Sequence, residues 1–229
     1  MEQESRLPGY LAVAAGFLTH LMIGAIFIWG NIVVYITSYF RLYNPDLTME
    51  DTFILFPVQV ILNNVIMYIG SLIALNWHPK VALGLSTLCM FLGCFFSSYM
   101  TSWGWFFVLY GLVVTIGVGF GYTAPLIVAW SYFPEKKGRV SGLITCGFGF
   151  SAGIFNLVST AMINPDNADP DITVHDGRVT NYYYSASIAD GVPGMLRGLA
   201  YIWVVIGVIA TILLPGVKKA EKKVDYRYP

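Results

Sequence analysis

The side chains in this sequence that could do chemistry are mostly neutral hydrogen-bonding groups set at helical spacing. His20, Gly24, Asn31, Tyr35 and Ser38 share one helix face, and Gln59, Asn63 and Gly70 share a second. Thr115, Gly119, Tyr122 and Trp130 share a third, and Thr145, Gly149, Ala152, Asn156 and Ser159 a fourth. Such groups can hold a small polar anion by hydrogen bonds. They can equally tie helices to one another, at about 1 kcal/mol per bond, and both readings stay open. His20 could change charge near neutral pH; a neutral, hydrogen-bonded ring is the alternative. There is no nucleophile–base pair, no metal-ligand spacing and no cofactor fingerprint, so an enzyme, a metal and a cofactor are not expected.

The elements that must position these residues follow from charge. Of the 229 residues, 56% are hydrophobic and only 11% are charged, against about 25% in soluble domains. Residues 7–40, 52–79, 81–134, 140–165 and 198–217 contain no Asp, Glu, Lys or Arg. A bilayer-spanning helix needs about 20 apolar residues, so the run 81–134 holds two spans and each of the others holds one. The expected helices cover 9–40, 52–76, 80–100, 104–132, 137–163 and 196–215. Apolar residues run on without alternating, and lipid leaves no backbone group unpaired, so helices rather than a barrel are expected. A soluble enzyme, a nucleic-acid binder and a disordered chain are excluded. The acidic start, Met1-Glu-Gln-Glu, precedes a run too long for a signal-peptide core, so no cleaved leader is expected.

Orientation follows from Lys and Arg. Six spans place Arg6, Lys80, Lys136, Lys137, Arg139 and the basic residues of the tail on one side, and only Arg41, Arg178 and Arg197 on the other. Both termini are therefore expected on the cytosol-equivalent side. The organelle stays open between a mitochondrial inner membrane and the plasma membrane. Lys80, Lys136, Lys137 and Arg139 read as topogenic charges facing headgroups, or as gating contacts to a partner domain. The expected domain layout is a bundle over 1–217 and a basic tail over 218–229. The one long connection, 164–194, is acidic and lacks calcium-loop spacing. Its Tyr182-Tyr183-Tyr184 cluster is expected at headgroup level. Cys89, Cys94 and Cys146 read as buried small hydrophobes.

Gly24–Phe40 can be laid without a gap over Gly117–Phe133, matching the leading Gly, a Phe and the closing Ser-Tyr-Phe. This pairs the first span with the fourth, as a three-plus-three inverted repeat would. Gly117, Gly119 and Gly121 thin the fourth span, and Gly142, Gly147, Gly149 and Gly153 thin the fifth. All seven are expected to let helices pack closely.

The stretch Gly117-Val-Gly-Phe-Gly-Tyr-Thr-Ala-Pro through Trp130-Ser-Tyr-Phe-Pro-Glu-Lys-Lys-Gly138, with Ser141-Gly142 and Gly147-Phe-Gly149 after it, resembles a family signature. It is similar to oxalate/formate antiporter-like and monocarboxylate transporter-like members of the major facilitator superfamily. Asn164-Pro165 and Val192-Pro-Gly-Met-Leu-Arg197 resemble the region around the sixth helix of those proteins. The resemblance covers the whole chain but only the N-terminal six-helix half of a twelve-span transporter. It implies that spans 1, 2, 4 and 5 line a cavity or meet the other half, and that carboxylate-binding basic residues lie in that other half. The loop after span 2 departs from the pattern: Asn76 and Trp77 stand where the superfamily has Asp and Arg, and Lys80 keeps only the last positive charge.

Two functions follow as expectations. One is an accessory, non-transporting or partner-dependent subunit of a larger membrane complex, such as a respiratory one. The other is a half-transporter for small mono- or dicarboxylates that works by alternating access with a second six-helix half. In both, a second half, a copy of the chain or a large complex must shield the polar face from the lipid bilayer. A chain cut from a longer reading frame is a further alternative.

Overall fold

The computed structural model describes residues 7–176 and 179–218. Most of the expected tail, together with Arg6 and Arg178, lies outside the described residues. The described fold is all-helical apart from one short hairpin. It contains six helices long and apolar enough to cross a membrane: α1 Leu7–Arg41, α2 Met49–Asn76, α3 Pro79–Ser97, α4 Trp103–Tyr132, α5 Pro134–Ile163 and α6 Ala186–Leu213. The chain is an integral membrane protein.

The helix ends have local causes. Thr48 and Asp51 form a reciprocal capping box at the start of α2: Asp51 N–H donates to Thr48 Oγ1 at 3.3 Å, and Thr48 N–H to Asp51 Oδ2 at 2.8 Å. The helix therefore begins before the charge-free run does. At α3, His78 Nδ1 accepts from Lys80 N–H at 3.1 Å and Pro79 fills the first turn. The main part of α6 runs Val192–Leu213, four residues ahead of the expected start. Arg197, already inside the expected span, has its guanidinium 5.5 Å from the Tyr99 ring centroid.

Two helices are not regular throughout. α1 tightens to a 3-10 turn over Gly24–Ile28. At this point it crosses α5 so closely that a Cβ on Gly24 would lie 2.7 Å from the Phe148 carbonyl oxygen. α4 widens to a π-helical stretch over Phe107–Val113. Gln59 Nε2 from α2 donates to the Tyr110 and Gly111 carbonyls there, at 3.1 and 3.4 Å.

α1 packs along α4, α5 and α6, while α4 packs along α1, α2 and α3. α3 and α6 also meet, with Thr87 against Gly207. α1 and α4 are the most enclosed helices and α2 the least. The core between them holds Trp29, Trp203, Phe40, Phe106 and Tyr110. Of the cysteines, Cys94 is buried, Cys89 is half-buried and Cys146 is exposed on α5, so burial holds for one of the three.

The α5–α6 connection carries an antiparallel pair, β1 Ile172–Asp176 with β2 Val179–Tyr183, that the sequence reading did not anticipate. Tyr183 and Tyr184 are buried and Tyr182 is exposed. The Arg41 guanidinium lies 4.4 Å from the Tyr183 ring centroid, and the Tyr184 ring stacks on Tyr35 at 4.7 Å. Tyr184 N–H donates to Ser38 Oγ at 2.9 Å. Two of the three tyrosines thus dock the connection onto the end of α1 rather than facing outward.

Candidate functional site

The open face of α1 lies between α2 and α5. Phe27 marks it, with its ring 5.7 Å from Phe56 of α2 and 5.1 Å from Phe148 of α5. Asn31 follows on the same stripe. Here a polar cavity of about 390 Å³ opens, lined by Asn31 and Tyr35 of α1, Asn156 and Thr160 of α5, and Asn164 and Tyr184 of the connection. Asn31 Nδ2 donates to Thr160 Oγ1 at 3.1 Å. Asn164 ends α5 and closes its loop: Oδ1 accepts from Ala168 N–H at 2.9 Å, and Nδ2 donates to Ala168 O at 2.9 Å and to Tyr35 OH at 3.3 Å. Asn156 Oδ1 is buried with no partner among the described residues. Burial, then the contact with Tyr35, pushes the Tyr184 phenol above its ordinary value, so it stays neutral across physiological pH. The exposed Asp169 also lines the cavity.

Of the residues expected from sequence, this cavity gathers Asn31, Tyr35 and Asn156. Thr160, Asn164 and Tyr184 were missed. Thr160 lies four residues after Asn156 and could have been found by helical spacing. Asn164 and Tyr184 arrive through the fold of the connection, which no periodicity signals.

The other expected residues sit elsewhere. His20 is buried before the α1 break, its ring 4.9 Å from Tyr122 and 6.1 Å from Phe148. Its Nδ1 lies 3.0 Å from the Gly16 carbonyl oxygen, which can only accept, so the proton is on Nδ1. Nε2 has no partner among the described residues. Gln59 pins the π-helical stretch, and its Oε1, like Asn63 Oδ1, has no partner among the described residues. Trp130 Nε1 donates to Ser141 Oγ at 2.8 Å and bridges α4 to α5. Thr145 bonds its own helix, at Ser141 O and 2.9 Å. Gln59 and Trp130 therefore act across helices, while Thr145 does not.

The glycines divide. A Cβ on Gly117 would lie 2.8 Å from Ser86 O, one on Gly119 would lie 2.9 Å from the Ile66 carbonyl carbon, and one on Gly121 would meet Ser86 Oγ. These are close helix crossings. Gly142, Gly149 and Gly153 have nothing among the described residues within 4 Å of a Cβ. Of the four expected on α5, Gly147 makes the close crossing with α1, against the backbone of Phe17. The other three lie on a stripe that α5 turns outward. Lys136, Lys137 and Arg139 are exposed at the start of α5, and Lys80 Nζ reaches Ile212 O at 3.5 Å. No group of His, Cys, Asp and Glu able to hold a metal occurs among the described residues.

These features define a membrane transporter-like protein. The chain is 29% identical, over 86% of its length, to apicoplast pyruvate carrier 1 of Toxoplasma gondii, of which the match covers 42%. It is 36% identical over 55 residues to monocarboxylate transporter 10 of Danio rerio, a match covering 24% of this chain and 11% of that protein. The chain thus spans less than half the length of the curated relatives it matches. No protein-family model matches it.

Proposed function

We propose that the chain forms one six-helix half of a major-facilitator-type carrier for small monocarboxylates such as pyruvate. In this reading it works by alternating exposure of the α1–α5 face against a second six-helix half. The observation that carries the proposal is the similarity to a pyruvate carrier along most of this chain. That similarity favours transport over the accessory-subunit role. The helix contacts support the three-plus-three arrangement: exchanging α1 with α4, α2 with α5 and α3 with α6 maps α1–α5 onto α4–α2, and α1–α6 onto α4–α3. The basic α2–α3 and α4–α5 turns would face the cytosol-equivalent side.

Amide and hydroxyl groups from Asn31, Asn156 and Thr160 would hold a carboxylate by hydrogen bonds, with no full positive charge lining the cavity. Asp169 opposes an anion there, which leaves the balancing cation to the second half. The outward glycine stripe of α5 would meet that half, because small residues let backbones approach in lipid. The same layout assigns 1–217 to the bundle and 218–229 to a basic tail.

The test is uptake of labelled pyruvate into membrane vesicles from cells expressing the chain, with the unrelated anion sulfate as control. Saturable pyruvate uptake above that of vesicles lacking the chain is expected. Uptake no greater than theirs, both for the chain alone and with a supplied second half, would overturn the proposal.

A further inference from the structure

The described residues of the α5–α6 connection fall into two pieces. The first, 164–168, is fixed at the end of α5 by the two hydrogen bonds between Asn164 and Ala168. The second, 171–176 with 179–185, is closed on itself. β1 pairs with β2, and Ser185 N–H donates to Asp171 Oδ1 at 2.7 Å, which joins the two ends. Only Asp169 and Pro170, in no regular element, stand between the pieces.

The second piece is held on α1. Outside its own pairing, β2 packs chiefly on the C-terminal half of that helix. The Tyr184 ring lies on Tyr35, Tyr184 N–H donates to Ser38 Oγ, and the Arg41 guanidinium covers the Tyr183 ring. Tyr35 and Tyr184 are also walls of the polar cavity. The stacked pair that docks the hairpin therefore also bounds the cavity, at the end of the bundle opposite Lys136 and Lys137. A segment resting on two rings and one hydrogen bond can open while the bundle stays folded.

We infer that the hairpin is a hinged end wall of the polar cavity. It turns as one body about Asp169-Pro170 and Ser185-Ala186, docks on α1 through Tyr183 and Tyr184, and opens the cavity at that end when the two rings leave. The inference rests on the carboxylate reading above for the ligand, not for the motion. A ligand seated between Asn31 and Tyr184 meets its full set of contacts only in the docked state, so occupancy holds the wall shut. α1 and α5 need not separate. The Asn31–Thr160 and Asn164–Tyr35 hydrogen bonds that join them lie outside the moving body.

The experiment follows exchange of single amide hydrogens by mass spectrometry in the purified chain in mild detergent, with labelled pyruvate binding measured on the same samples by equilibrium dialysis. The reporters are the amides of Tyr184, bonded to α1, and Ser185, bonded within the hairpin body. Arg41→Gln loosens the docking at Tyr183 and leaves both reporter bonds in place. Arg41 also donates to Leu47 O at 2.6 Å, so Tyr183→Leu, which keeps that bond, is the second variant. Neither residue lines the cavity. Arg41→Gln should speed Tyr184 exchange about two- to fivefold, the worth of one cation–aromatic contact, and Tyr183→Leu by at least as much. Ser185 exchange should stay within about twofold of wild type in both, well short of one hydrogen bond's worth. Pyruvate at about ten times its dissociation constant should slow wild-type Tyr184 exchange about tenfold. Unchanged Tyr184 exchange in both variants overturns the inference. So does a rise at Ser185 equal to that at Tyr184, the sign of a connection that unravels instead of turning. Bound pyruvate that leaves Tyr184 exchange unaltered overturns it as well, while the carboxylate reading stands. Faster Tyr184 exchange in the variants with no pyruvate bound sinks the carboxylate reading alone and leaves the hinged wall in place.

Discussion

Gly147 and Gly149 lie two residues apart on α5, and replacing each by Ala should have opposite effects. A Cβ on Gly147 would press on the Phe17 carbonyl oxygen of α1, with Leu21 N and the Phe17 carbonyl carbon both at 3.1 Å. All of these are backbone atoms, so no side chain can rotate away and the two helices must separate. Overpacking of this kind costs about 1–3 kcal/mol. A Cβ on Gly149 meets nothing within 4 Å. Both variants gain about 1 kcal/mol from the better helix propensity of Ala. This gain is common to the pair and cancels in their difference, leaving the overpacking cost of about 1–3 kcal/mol. At about 2–4 °C per kcal/mol for a chain of this size, Gly147→Ala should melt several degrees below Gly149→Ala. Thermal unfolding of the purified chain in detergent, followed by tryptophan fluorescence, reads this directly. Equal melting temperatures, or a lower one for Gly149→Ala, would mean that α5 is rotated from the assigned orientation, and the outward glycine stripe would fall with it.

Gln59→Leu removes the donor to the Tyr110 and Gly111 carbonyls of the π-helical stretch. It should destabilise the chain by about 1–3 kcal/mol, measured by the same melting assay; no change would show that water or the helix itself satisfies those carbonyls. Asn164→Ala breaks three hydrogen bonds that join α5, its loop and Tyr35. Faster proteolysis within 164–191 is expected, together with weaker carboxylate binding. Hydrogen bonds from Ser185 hold the Asp171 carboxyl below its usual value. A depressed carboxylate stabilises above its unfolded pKa and loses that contribution as pH falls through the folded one. Exchange of the Ser185 amide hydrogen, which donates to Asp171 Oδ1 at 2.7 Å, should therefore stay slow at neutral pH. Relative to an Asp171→Asn variant, it should lose protection only below about pH 4.

The sequence by itself determined the number, type and approximate ends of the spans. Charge-free stretches of this length in lipid admit only helices, because backbone groups there cannot go unpaired. It also placed Asn31, Tyr35 and Asn156 on faces that meet. Only the tertiary structure decided which way each helix turns. In a soluble helix the polar face announces itself, but here both lipid and core are apolar, so hydropathy does not distinguish the Gly147 side of α5 from the Gly149 side. The backbone of α1 makes that distinction, by fitting where Gly147 leaves room. The same holds for the α5–α6 connection: Asn164 and Tyr184 join the cavity through a hairpin and a ring stacked on Tyr35, contacts between residues too far apart in the chain for any local pattern to record.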